Sequence, residues 1–187
     1  ETAVPGFLDQ MPAEYLCSLA QHAAKNGGDL IAGVPVAERA QAGVDPYRYA
    51  NSAVSMGLSP SQRYDKQHLV AFGEFIPPLF SWVYRWLKIP LAGFTPGDAG
   101  QVPMKLAGSR VAVNICYEDA FGREIALQAA DAGLLVNMSN MAWYGESFAA
   151  DQHAQFSQMR ALENGRWMLR ATNTGVTAAI DERGAIV

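Results

Sequence analysis

The sequence is poor in the residues that most often build metal and disulfide chemistry. It holds two cysteines, Cys17 and Cys116, too few for a disulfide framework, and neither stands in a C-x-x-C pair. Its three histidines, His22, His68 and His153, are scattered without zinc spacing. None has an acid motif beside it, so activation of a thiol by histidine is disfavoured. No metal and no cofactor is expected. Charged residues make up only 17% and the net charge is -4, so the basic footprint of a nucleic-acid-binding protein is missing. No block of like charge marks a tail. No uninterrupted apolar run is long enough to span a bilayer, and no signal peptide opens the chain. Internal repeats, low-complexity segments and dividing linkers are also absent.

What is present is an apolar half, 50% of the residues, spread along the whole length. That excludes disorder, and 187 residues suit one domain with a sizeable core. The chain starts at Glu1 without Met and stops at Val187 within a strand pattern. Both features read as a fragment of something longer.

The pattern predicts an α/β layered domain. "AEYLCSLAQHAAKNGGDL" reads as a helix with Tyr15, Leu16, Leu19 and Ala23 on one face, closed at Gly27-Gly28. "LIAGVPV" is a buried strand and "PYRYANSAVSM" the next, reached through a turn at Asp45-Pro46. "GLSPSQRYDK" contains a turn, and "HLVAFGEFIP" is a short strand running into a loop. "RVAVNICYE" is a strand, "GREIALQAADAG" a helix, "LLVNMSN" a strand, and "FAADQHAQFSQMRALENG" a long amphipathic helix. The end of the chain reads as strands around an Asn-Thr-Gly turn, with an Asp-Glu-Arg-Gly turn near the terminus. Between Phe75 and Phe94, Leu79, Trp82, Val83, Trp86 and Leu87 share a helical face flanked by Arg85 and Lys88. Such a segment suits either a core-packed helix or a membrane interface.

Chemistry concentrates around "VAVNICYEDAFG". An apolar, β-branched run makes a central strand, and Cys116 emerges at its carboxyl end, where α/β folds place reactive groups. A thiol attacks as the thiolate, with a reference pKa of about 8.5, so it needs a base or a cation nearby. Cys17, inside a helix with no charged companion, reads as inert. Lys66, in an apolar neighbourhood, is either a solvated surface charge or a buried cation that holds a thiolate and later an oxyanion. Glu74, between aromatics in "FGEF", is either a turn residue or a partner of that lysine. Taken alone, the terminal Glu1 carries no information.

This Glu/Lys/Cys set resembles the nitrilase (carbon–nitrogen hydrolase) superfamily. Within it, "ETAVP", "YDKQHLVAFGEFIP", "NICYEDAFG", "SNMAWYGES", "QMRALENGRWMLRATNTGVTA" and "DERG" look most like the apolipoprotein N-acyltransferase family, over almost the whole chain. The resemblance implies a four-layer αββα sandwich, here truncated at its N-terminal strand, as a single incomplete domain of residues 1–187 between transmembrane helices of a parent. It implies Glu1 as general base, Lys66 as catalytic lysine and Cys116 as nucleophile. Glu74, Tyr117 and Glu118 match supporting positions around the site, and Trp143 that of a loop near it.

The implied reaction moves a fatty acyl chain from a phospholipid, through a Cys116 thioester, to the N-terminal diacylglyceryl-cysteine of an apolipoprotein. A bacterial inner membrane with the domain facing the periplasm is implied too. The lipid substrate shifts the reading of Phe75–Phe94 towards a membrane-surface arm that carries Trp82 and Trp86. One departure stands out. The family's Asn-Asp-Ala-Trp loop reads "NMAW" here, with Met141 in place of the acid. Rival expectations are a soluble amidase or nitrilase using the same triad, and a non-catalytic binding module on the same fold.

Overall fold

A computed structural model describes residues 1, 3–4, 6–39, 47–77 and 93–187. The expected turn at Asp45-Pro46 and most of the Phe75–Phe94 arm, with Trp82 and Trp86, lie outside the described residues.

Among the described residues, eight strands form two sheets. In the first, β1 (Asp29–Arg39), β2 (Tyr47–Gly57) and β3 (Arg63–Asp65) run antiparallel in that order. The second has the order β4 (Met104–Leu106), β5 (Ser109–Ile115), β6 (Leu134–Ser139), β7 (Trp167–Thr172), β8 (Ala178–Ile180). Its three middle strands are parallel, and the outer two pair antiparallel.

The middle strands are the near-continuous Val/Ile/Leu runs expected of a sheet covered on both faces. Val113, Ile115, Val136 and Met138 face the first sheet and meet Ala53 and Tyr64 there. Ala112, Leu135 and Met168 face the other way, onto helices α2 (Gly122–Ala129) and α3 (Ala149–Asn164). Helix α1 (Ala13–Lys25) packs on β1 and β2 from outside. The layers are therefore helix, sheet, sheet, helix, the αββα arrangement expected.

Local departures from the sequence reading have simple causes. Tyr15 is exposed, and α1 rests on Leu16, Leu19, Ala20 and Ala23, all only half-buried. "HLVAFGEFIP" forms no strand: Phe72 takes a positive φ of 63°, and the N–H groups of Gly73, Glu74 and Phe75 all turn back onto the Val70 carbonyl. The strands β3 and β4 are only three residues long, too short to show a period in the sequence. Helix α3 is not amphipathic in the usual sense. It buries His153, Ser157 and Arg160 along with Ala154 and Ala161, while Phe156, Met159 and Leu162 stay largely exposed.

Candidate active site

Two parallel strands deliver the site at their carboxyl ends. Immediately after β5, Cys116 opens a 3-10 turn, Cys116–Ala120, with φ +57°. A left-handed backbone at a non-glycine residue costs about 1 kcal/mol or more, so surrounding contacts must hold it. After β6, the Asn140 N–H donates to Glu1 Oε2 at 3.2 Å.

Lys66, directly after β3, is completely buried. Its Nζ donates to Glu1 Oε1 at 3.0 Å and to Glu74 Oε1 at 3.0 Å, and lies 2.9 Å from Glu74 Oε2. A buried ammonium survives only when paired, and here two carboxylates pair it. Burial opposes its charge, but Glu1 and Glu74 outweigh burial and hold it above the usual lysine range. Burial likewise works against the charge of Glu1, and Lys66 more than compensates, so that carboxyl sits below its ordinary range.

The Cys116 thiol shares this cluster. Burial pushes it up to about 12, the Glu1 carboxylate within hydrogen-bonding reach adds to the rise, and Lys66 opposes it. The resting pair is thus a neutral thiol facing a carboxylate. The Tyr117 backbone N–H, the next amide in the turn, also opposes the rise.

Each supporting position has a distinct place. Glu74 closes its own loop by accepting the Val70 N–H at 2.8 Å, so the turn reading and the lysine-partner reading both hold. Its backbone carbonyl receives the N–H groups of Gly93 and Phe94, where the chain returns after the arm. The Tyr117 ring lies under Lys66, with Nζ 5.9 Å from its centroid, and its hydroxyl donates to the Leu69 carbonyl. Glu118 is buried behind the turn and collects the N–H groups of Ile115, Gln67 and His68, plus the Tyr64 hydroxyl. It thereby ties the Lys66 segment to the Cys116 turn, although burial raises its own pKa. Trp143 is 75% exposed in a 3-10 turn just past Asn140. Met141 is buried and packs against Gly175, where a Cβ would come within 3.0 Å of the Met141 side chain.

Sequence reasoning missed Asn51. Its side-chain amide, buried in β2, donates to Glu1 Oε1 at 2.9 Å and Glu74 Oε1 at 2.6 Å. An asparagine amid a strand, where that residue is depleted, was the available signal. His153 needs correction as well. It has no acid beside it in sequence, yet Asp119 Oδ1 lies 3.5 Å from its Nε2 in space. Arg170 donates to its Nδ1, and burial with the Arg170 charge pushes its pKa down to about 4. Among the described residues, no group of three or more His, Cys, Asp or Glu side chains is arranged to hold a metal ion.

A carboxylate, a buried lysine and a cysteine at the carboxyl edge of a parallel sheet can generate a thiolate and stabilise an oxyanion. The carbon–nitrogen hydrolase family model matches residues 1–187. The chain belongs to the carbon–nitrogen hydrolase family.

Among solved family structures, a carbon–nitrogen hydrolase from Helicobacter pylori G27 superposes with TM-score 0.66 at 18% identity, covering 92% of this chain and 61% of that one. An amidase from Nesterenkonia sp. gives 0.63 at 20%, covering 98% and 66%. Both show the fold. In sequence the chain is similar to the apolipoprotein N-acyltransferase of Nitrosomonas europaea, 54% identical over 189 residues. It is also similar to that of Chromobacterium violaceum, 48% identical over 188. Each match covers 100% of this chain but only 37% and 36% of those proteins, so the chain spans little more than a third of the relatives it matches.

Proposed function

We propose that this chain is the catalytic domain of an apolipoprotein N-acyltransferase, passing an acyl group from a phospholipid to the N-terminal diacylglyceryl-cysteine of an apolipoprotein. The observation that carries the reading is the Glu1–Lys66–Cys116 cluster, set in a chain 54% identical to a protein of that name.

The geometry supports this order of events. As Cys116 Sγ bonds to the ester carbonyl carbon, its proton passes to Glu1, already ionised and in reach. The carbonyl oxygen becomes an oxyanion held by Lys66 Nζ and the Tyr117 N–H. Collapse breaks the ester C–O bond, and Glu1 returns the proton to the departing lysophospholipid oxygen. The amine of the acceptor then attacks the thioester, Glu1 takes its proton, the C–S bond breaks, and the sulfur is reprotonated. Glu74 and Asn51 keep Lys66 and Glu1 in register throughout.

The remaining proposals concern the longer protein. Residues 1–187 form a single, incomplete nitrilase-type domain of an enzyme in the bacterial inner membrane, with the domain facing the periplasm. The names of the relatives, and the third or so of their length that this chain spans, support a longer enzyme; no helix among the described residues is long and apolar enough to cross a membrane. Trp82, Trp86 and the exposed Trp143 are proposed to meet lipid. The arm's return to the Glu74 carbonyl supports that assignment, because it roots the arm at the lysine's partner.

The test is intact-protein mass spectrometry of the full-length enzyme after incubation with phospholipid vesicles, with Cys116→Ala as control. A fatty-acyl mass gain, released by hydroxylamine and lost in the variant, supports the acyltransferase. Turnover of small amides by Cys116 with no acyl adduct from lipid overturns it in favour of a hydrolase.

A further inference from the structure

A second polar assembly lies beneath Cys116, and the proposed chemistry does not use it. Its centre is Asn137 on β6, fully buried. The Asn137 amide nitrogen donates to the Cys116 carbonyl at 2.9 Å and to Asn114 Oδ1 at 2.6 Å. Its oxygen accepts from Ser139 Oγ at 2.6 Å and from Arg170 NH1 at 2.8 Å. Every hydrogen-bonding direction of the amide is thus assigned, and the orientation is set by chemistry: arginine only donates, so the oxygen must face Arg170 and the nitrogen must face Cys116.

Arg170 on β7 is held just as tightly. Its guanidinium donates to the Val176 carbonyl, Ser157 Oγ, Asp119 Oδ2 and His153 Nδ1. Asp119 belongs to the same 3-10 turn as Cys116, and Ser157 Oγ donates to its Oδ2 at 2.7 Å. The turn is therefore gripped at its first residue through Asn137 and at its fourth through Arg170.

We propose that Asn137 is a positioning residue for Cys116, and that Arg170 orients it. The contact fixes the carbonyl of a residue whose φ is +57°, in the left-handed region that non-glycine residues avoid. Fixing that peptide plane also fixes the Tyr117 N–H, because the Cys116 carbonyl and that N–H belong to the same peptide group at the start of the turn that carries the thiol. Without Asn137 the turn relaxes, and the thiol, the N–H and the carboxylate no longer converge. The consequence for acyl transfer rests on the proposed function; the positioning of the sulfur does not.

The experiment uses the full-length enzyme with Asn137→Ser and Arg170→Gln, and has two independent readouts. The first is iodoacetamide alkylation of Cys116, followed by peptide mass spectrometry and referred to exposed Cys17 in the same sample. The second is the rate of thioester formation from phospholipid vesicles, with thermal unfolding to confirm the folded fraction. Asn137→Ser is expected to change the Cys116-to-Cys17 alkylation ratio at least 5-fold. It should lower the rate constant for thioester formation at least 10-fold per folded molecule, with little change in the vesicle concentration giving half-maximal rate. Arg170→Gln is expected to move both in the same direction. A ratio and a rate constant within 2-fold of wild type in folded Asn137→Ser would overturn the proposal. If wild type forms no thioester, the acyltransferase reading fails, and the alkylation ratio still decides the positioning role.

Discussion

Replacing Lys66 by Met tests the electrostatics of the candidate site most directly. The lysine is fully buried, and its ammonium is the cation bonded to both Glu1 and Glu74. Methionine keeps the stem and removes the charge. The two carboxylates are then left with uncharged donors: the Asn51 amide shared by both Oε1 atoms, the Asn140 N–H on Glu1 Oε2 and the Val70 N–H on Glu74 Oε2. Removing one partner of a buried ion pair costs about 3–5 kcal/mol, because the charge left behind is uncompensated. For a chain of this size that is a fall of about 6–20 °C in Tm at pH 7.

The sign of the pH dependence should also reverse. In the wild type the Glu1 pKa lies below its ordinary 4.5, so its contribution is full above that value and is lost as pH falls through the folded pKa. In the variant, crowded and without the Lys66 ammonium, at least one of the two carboxyls is raised. Its contribution is then present at low pH and lost as pH rises. Thermal unfolding of both proteins between pH 4 and pH 8 is the assay. The deficit of the variant should narrow on acidification. A Tm within about 2 °C of wild type at pH 7, or a deficit that widens at low pH, would refute the buried-pair reasoning.

Other substitutions probe separate contacts. Glu118→Gln places an amide NH2 among donors from Ile115, Gln67, His68 and Tyr64; a loss of about 2–3 kcal/mol in denaturant unfolding is expected, with slower thioester formation. Met141→Asp restores the acid of the related loop but buries it against Gly175 and away from water, so Tm should fall by several degrees rather than rise. Trp143→Ser removes an exposed ring and should leave stability within about 0.5 kcal/mol while weakening association with phospholipid vesicles, read by co-sedimentation. An unchanged vesicle affinity would remove Trp143 from the lipid-contacting surface.

Much of the frame was legible in the sequence because local pattern and tertiary role agree there. The run Val111–Ile115 reads as a buried strand and is one, so the placement of Cys116 at its carboxyl end followed from the pattern alone. The helix at Ala13–Lys25 was legible from its periodicity and closing glycines, although Tyr15 turned outward. Helix α3 was legible in extent and misread in face. Its inner side covers Asp119 and Arg170, so it buries Ser157 and His153, which hydrogen-bond to those groups, and leaves Phe156 outside. The stretch before Glu74 reads as a short strand running into a loop, because its apolar residues have the right composition. Only the backbone hydrogen bonds onto Val70 show the chain turning back.

By itself, then, the sequence determined the layered α/β class and the position of the cysteine, and its motifs nominated Glu1, Lys66 and Cys116 as candidates. Periodicity and short motifs record what a residue's neighbours in the chain demand. The tertiary structure alone decided the polar contacts that make those residues a site. Asn51 reaches Glu1 across 50 positions and the Asn140 N–H reaches it across 139. Asn137, Arg170 and Asp119 meet only because parallel strands and a covering helix bring them together. A hydrogen bond of that kind is fixed by sheet order and packing, and neither is written in any local stretch of residues.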